Sequence, residues 1–141
     1  MKKILLITLG LSSILFADFT KTGNIVTDNS TALQWQDDAI GSTMSWTSAI
    51  THCENLSLDG HSDWRLPNIN ELKSLVDDTK VNPAIDDSAT AFEYTASNYY
   101  WSSTTYAGYS DSAWYVHFYY GYQYYYYKTN SYYVHCVRAG Q

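Results

Sequence analysis

Positive charge is what this 141-residue chain has least of: eight Lys and Arg stand against fourteen Asp and Glu. The cations are also scattered, and a phosphate backbone is repelled by an acidic surface unless cations gather in one patch, which argues against nucleic acid as a partner. Beyond residue 16, no run approaches the roughly 18 apolar residues that a spanning helix needs, so the body of the chain carries no membrane span. Metal-binding spacings are missing as well. His52, His61, His117 and His135 form no His-x-x-x-His pair, and Cys53 and Cys136 form no Cys-x-x-Cys. The acid pairs Asp37-Asp38, Asp77-Asp78 and Asp86-Asp87 lack the spaced loop of an EF-hand and read as solvated loop acids. Ser102-Ser103 lacks the Gly-x-Ser-x-Gly elbow of a hydrolase, so strand serine is the better reading. No cofactor is expected.

What is present begins with Met1-Lys2-Lys3, thirteen apolar or small residues from Ile4 to Phe16, and Ala17 before the polar Asp18. That order of charge, apolar run and small residue predicts a secretory signal over 1-17 and an exported domain over 18-141; an uncleaved N-terminal anchor is the alternative. Loss of Lys2 and Lys3 takes the net charge from -6 to -8, six basic against fourteen acidic residues. In an exported chain an even pair of cysteines is most simply one disulfide, Cys53-Cys136, the alternative being two buried thiols.

The 45 % hydrophobic content fits one globular core. Gly23 to Thr27 and Ala32 to Gln36 are short β-prone runs around Asp28-Asn29-Ser30-Thr31, a predicted hairpin. Trp46, Ala49, Ile50, Cys53 and Leu56 lie on one helical face, with Ser45 as N-cap and Gly60 as a left-handed stop. Asn68 and Glu71 have the spacing of a capping box, with Pro67 and Leu72 at the positions of a hydrophobic staple. This second helix is expected to run to Asp77-Asp78 and to give way to a loop through Asn82-Pro83 and Asp86-Asp87. Strands are expected over Tyr99 to Thr105, Ala113 to Tyr119, Tyr122 to Lys128 and Tyr132 to Arg138, with Thr129-Asn130-Ser131 joining the last two as a hairpin. Two helices packed on antiparallel strands make an α+β domain. The five tryptophans are expected in the core, and Asp63 and Arg65 are expected to tie the loop around Trp64 to nearby backbone.

Fourteen of the fifteen tyrosines follow residue 98. Each buried phenol needs a partner for its hydroxyl, whereas a recognition surface gains from large, stiff, amphipathic rings. Tyr124 to Tyr127 are consecutive, so about half of them must point away from any one face of a strand. The candidate ligand-binding residues are therefore Tyr119, Tyr120, Tyr122, Tyr124, Tyr125, Tyr126, Tyr127, Tyr132 and Tyr133. Trp114 to Phe118 and Val134 to Arg138 are read as framework.

The segment Asp63-Trp64-Arg65-Leu66-Pro67-Asn68-Ile69-Asn70-Glu71-Leu72 resembles the Lcl C-terminal domain family. Four further blocks carry the resemblance in the same order: Thr27 to Gln36, Tyr100 to Thr104, Ala113 to Val116, and Val134 to Arg138. The resemblance implies a C-type lectin-like fold, related to that of formylglycine-generating enzymes. The family is named for a bacterial collagen-like adhesin whose domain is associated with sulfated polysaccharide. This chain is acidic, which argues against heparin-like ligands, and it departs from the family a second time at His135, where Arg usually stands before the Cys. The calcium signatures Glu-Pro-Asn and Trp-Asn-Asp of lectins are absent, and the two cysteines are committed to structure rather than to a formylglycine-type oxidase. The residues between Asn98 and Tyr133 also resemble the variable region of a diversity-generating-retroelement protein, in which altered asparagine codons give Tyr, Ser, Asp, His and Asn. Together these readings predict a non-enzymatic, exported, adhesin-like or lectin-like domain that takes a protein or glycan ligand at a cell surface. The alternatives are an enzyme on the formylglycine-generating-like fold and a self-associating envelope protein.

Overall fold

The computed structural model describes residues 18–85 and 91–140; the expected signal over 1-17 and the Asp86-Asp87 part of the loop lie outside them. The architecture is mixed α and β. Strands β1 (Phe19–Thr22), β2 (Ile25–Asp28) and β3 (Gln34–Gln36) are followed by helices α1 (Trp46–Glu54) and α2 (Ile69–Lys73), then by β4 (Tyr99–Thr105), β5 (Ser112–His117), β6 (Tyr122–Tyr127) and β7 (Val137–Arg138). They build two antiparallel sheets, in the orders β1-β2-β3-β7 and β4-β5-β6. Among the described residues, no helix is long and apolar enough to cross a membrane.

The expected hairpin is β2-β3, with Val26 opposite Trp35. Asp28 closes its turn by accepting from Ser30 N at 2.8 Å and Ser30 Oγ at 2.6 Å, which explains why this polar run bends the chain. Strand β1 extends the sheet outward and was not foreseen, because Phe19-Thr20-Lys21-Thr22 is too short to show a period. Ser45 stands at the N-cap of α1 but makes no side-chain cap bond there, its hydroxyl reaching Ser48 Oγ instead. Gly60 has the expected positive φ of 82°, yet α1 ends earlier, at Asn55. Gly60 serves a tight turn in which Leu58 and His61 exchange backbone hydrogen bonds.

The capping box of α2 is complete, with Glu71 N donating to Asn68 Oδ1 at 2.8 Å and Asn68 N to Glu71 Oε1 at 2.9 Å. The helix is shorter than expected. Val76 leaves it to form a bridge with Ile85, and Asp77 accepts from Thr79 N and Oγ1, an arrangement that competes with a further helical turn. Arg65 grips Glu71 through two 2.7 Å bonds, and Arg138 reaches Asp63 at 2.7 Å. The charges flanking Trp64 thus tie to side chains rather than to loop backbone.

The three-stranded sheet has a core on each face. Tyr100, Val116 and Phe118 pack with Trp35, Leu72 and Leu75 on one side, while Trp101, Ala113 and Tyr115 pack with Trp64, Cys53 and Cys136 on the other. Double coverage is why Tyr115 is buried against the expected alternation. Trp35, Trp64 and Trp101 are buried, whereas Trp46 and Trp114 are half-buried. Cys53 and Cys136 form the disulfide, with Cα atoms 5.5 Å apart and a sequence separation of 83.

The largest departure concerns the last strand. The turn after β6 leads away from it: Tyr132 exchanges hydrogen bonds with Met44, and Tyr133 lies parallel to Tyr100, along the edge of β4 not taken by β5. Val137 then pairs with Trp35 in the other sheet. The predicted hairpin of Tyr122 to Lys128 with Tyr132 to Arg138 does not form, since burial of the Tyr132 ring and the Cys136 bond to α1 draw this segment across the molecule. Strand β6 is left as a sheet edge.

Candidate functional site

Strand β6 is Tyr-Gln-Tyr-Tyr-Tyr-Tyr, paired with β5 in continuous register from His117↔Tyr122 to Ser112↔Tyr127. Lys128 N donates to Asp111 O, which fixes the hydrogen-bonding phase, so Tyr122, Tyr124 and Tyr126 direct their backbone groups toward β5. Gln123, Tyr125 and Tyr127 direct theirs outward. The hairpin that launches the strand depends on Gly121, whose φ is 81° and where an added Cβ would stand 2.7 Å from Val76 Cγ1. Substitution there meets both backbone strain and a packed side chain.

Period-two geometry divides the tyrosines between two faces. On the face shared with Tyr115 and His117 lie Tyr122, Tyr124 and Tyr126, with Tyr120 at the hairpin; all four are exposed, from 44 % at Tyr122 to 63 % at Tyr120. Behind them is a continuous aromatic bed. His117 stacks on Tyr99 with centroids 4.3 Å apart, and Tyr132 sits 4.4 Å from Trp101 and about as close to Tyr99 and Tyr115. On the other face, Tyr125 stacks on Tyr106 at 3.6 Å beside Trp114, with Tyr109 and Tyr127 exposed at the margin. The Tyr124 ring leans back to stack on Tyr125 at 4.7 Å, so the two faces meet along the strand.

Of the nine tyrosines expected to bind, Tyr120, Tyr122, Tyr124, Tyr126 and Tyr127 are exposed. Tyr119, Tyr125, Tyr132 and Tyr133 are half-buried. Tyr133 packs against the first core and stacks on Tyr100, and Tyr132 belongs to the second, so both support the surface from below. Sequence reasoning missed Tyr106, Tyr109, Asp111 and His117. The turn between β4 and β5 returns the first three to the side of β6, and the tyrosine content of that turn was the available signal.

Hydrogen bonding to Tyr106, followed by desolvation, pushes Tyr125 up to about 12, and burial raises Tyr115 well above the ordinary phenol range. Burial lowers the pKa of His117, whose Nδ1 is buried without a hydrogen-bond partner among the described residues. The other candidate chemistries are occupied structurally. Ser102 Oγ donates to Trp114 O at 2.7 Å, and among the described residues no three His, Cys, Asp or Glu side chains converge as metal ligands.

His135 is a core residue. It stacks on Tyr100 at 4.7 Å, lies 3.2 Å from the Gln36 carbonyl through Nδ1 and 3.0 Å from Thr95 Oγ1 through Nε2. A carbonyl only accepts, so Nδ1 carries the proton and Nε2 accepts from Thr95, which is the neutral ring. Desolvation lowers its pKa despite the charge of Asp37 nearby. The unfolded state therefore binds a proton that the native state refuses. Stability is fully present above the unfolded histidine value of about 6.5 and declines as pH falls through it. A second decline is expected below about pH 4, where Asp28, Asp63, Glu71 and Asp77, all depressed by hydrogen bonds in the fold against the opposing effect of burial, take up protons on unfolding. Urea midpoints measured from pH 8 to pH 3 should show both steps, the upper one shrinking in His135→Gln. A midpoint unchanged between pH 7 and pH 5 would contradict the buried neutral histidine.

No curated protein sequence matches the chain. The Lcl C-terminal domain family matches residues 24–138, from the turn before β2 to the end of β7, a span that holds both cysteines and every tyrosine of the two faces. The chain belongs to the Lcl C-terminal domain family.

Proposed function

We propose that this chain is an exported, non-enzymatic ligand-binding domain of C-type lectin-like architecture that recognises a protein or glycan at a cell surface through the tyrosines of β6 and its hairpin. One observation carries the reading: Tyr122, Tyr124 and Tyr126, with Tyr120 at the hairpin, are exposed on one face of a strand whose outer edge has no partner strand among the described residues. Exposed rings in such number add nothing to a core. As contacts they offer wide apolar area with few rotatable bonds, and their hydroxyls can bond to a polar rim. The aromatic bed beneath holds the strand rigid, so little order has to be gained on binding.

Protein and glycan arrays provide the test. Replacing Tyr120, Tyr122, Tyr124 and Tyr126 by Thr preserves strand propensity and is expected to change stability by no more than about 2 kcal/mol, about 0.5 for each surface site. Binding to any array-selected ligand should fall at least about 100-fold, the effect of one or two interface hot spots. Unchanged affinity in a folded variant would reject the tyrosine surface. Loss of folding without a separable binding defect would return these rings to structure.

A further inference from the structure

A hollow of about 260 Å³ opens beside the exposed end of β6, lined by Tyr109, Asp111, Ser112, Tyr125 and Tyr127 together with the Tyr124 and Tyr126 positions. Its size is below the roughly 300–1,000 Å³ of pockets for drug-sized ligands and suits the head of one side chain. Its walls are phenol rings, whose faces are electronegative. Asp111 stands in the lining, and its carboxylate makes no hydrogen bond or ion pair among the described residues. Lys128, whose backbone pairs with Asp111 across the strands, forms no ion pair with it among the described residues. Lys128 turns its Nζ onto the Trp46 ring at 4.0 Å, with Thr105 Oγ1 and Ser110 O each at 2.9 Å.

The same chain shows what such a set of groups attracts. At the opposite sheet, Lys21 Nζ lies 2.7 Å from Asp37, 2.9 Å from Glu93 and 5.0 Å from the centroid of Tyr94. Carboxylate and tyrosine face together hold an ammonium there. In the hollow the carboxylate and the rings are present and the cation is missing. An anion is opposed both by Asp111 and by the overall charge of -6, and a neutral sugar leaves the carboxylate without a counter-charge. A second copy of β6 brings no cation within the strand itself, and the Lys128 that follows it is held by Thr105, Ser110 and the Trp46 ring.

We propose that this hollow is a subsite for a cationic side chain, a lysine ammonium or arginine guanidinium, presented by a protein partner. The assignment rests on the ligand-binding reading above and narrows it from protein or glycan to a protein with a basic residue at the contact. Cation–π attraction and the Asp111 carboxylate act on the same charge, so the subsite discriminates by charge rather than by shape.

The experiment is a titration of the folded chain, followed by the NMR signals of the tyrosine rings, with four probes: N-acetyl-arginine amide, N-acetyl-lysine amide, N-acetyl-citrulline amide and methyl glucoside. Arginine and lysine should shift the rings of Tyr109, Tyr125 and Tyr127, and citrulline, which keeps the shape of arginine without its charge, should not. Asp111→Asn, at an exposed position, should leave melting unchanged and weaken the cationic probes at least about tenfold. An equal response to arginine and citrulline, a preference for the glucoside, or affinity indifferent to Asp111→Asn would each overturn the subsite. The broader reading is tested separately by an array-selected ligand. Binding lost in the four-tyrosine variant and unchanged in Asp111→Asn rejects the cation subsite alone, while binding unchanged in both variants rejects the two together.

Discussion

Replacing Cys53 by Ala together with Cys136 by Ser is expected to lower the unfolding free energy by about 4 kcal/mol. The bond joins the last turn of α1 to the residue before β7 and closes 83 residues, for which loop-closure entropy alone gives about 4 to 5 kcal/mol. A small domain has about 5–15 kcal/mol to lose, so the variant should be near its limit at physiological temperature. The damage should also reach the tyrosine face. Cys136 holds the segment that brings Tyr132 beneath Tyr99 and Tyr115, and without it the edge of β4 and the bed under Tyr122 and Tyr124 loosen together. Urea denaturation of the oxidised protein, the reduced protein and the double variant measures the effect. A loss under about 1 kcal/mol would show that packing alone fixes the last strand.

The parts of the fold legible in the sequence are those decided within a few residues. The box at Asn68 and Glu71 forms as its spacing predicts, because both hydrogen bonds join residues three apart. Strand β4 runs over the expected Tyr99 to Thr105, and the turn at Asp28 closes through its own side chain. The departures are decided at long range. Nothing near Tyr132 says that Met44 competes for its backbone, or that Val137 pairs with Trp35 a hundred residues earlier. The cysteine pair was the one sign that the C-terminal segment returns to α1.

Recognition of the tyrosines followed from their number and their runs, but their division did not. Alternation says that Tyr124 and Tyr125 face opposite ways without saying which face is covered. Here both are in part: Tyr115 is buried beneath one row, and Tyr106 stacks on the other. Tyr106, Tyr109 and Asp111 join the site because the β4-β5 turn folds over the end of β6, a contact that the tyrosines of the turn hint at but no local period fixes. Tyr132 and Tyr133 belong to the tyrosine-rich segment and yet support the surface from within, since their backbones are paired to Met44 and to β4.

Asp37→Ala should destabilise the chain by about 3–5 kcal/mol, as much as a core truncation, although the position looks in sequence like one half of a solvated acid pair. Its side chain is fully buried. One oxygen accepts from Tyr94 N at 3.0 Å; the other accepts from Glu93 N at 2.9 Å and Lys21 Nζ at 2.7 Å. Burial opposes the charge on Lys21, but the Asp37 and Glu93 carboxylates outweigh it and hold the ammonium above its ordinary value. Removing Asp37 leaves two backbone N–H groups without their acceptor, at about 1–3 kcal/mol each, and a lysine with the exposed Glu93 carboxylate and the Tyr94 ring in place of its buried partner. Asp37→Asn keeps one acceptor oxygen and should lose about half as much, so the pair of variants separates lost hydrogen bonds from lost charge. Because Asp37 ties Lys21 of β1 to the segment at Glu93 and Tyr94, the Ala variant should also become open to proteolysis there before it unfolds as a whole. Equilibrium denaturation with limited digestion checks both. A solvated, replaceable aspartate would give less than 1 kcal/mol and no new cleavage.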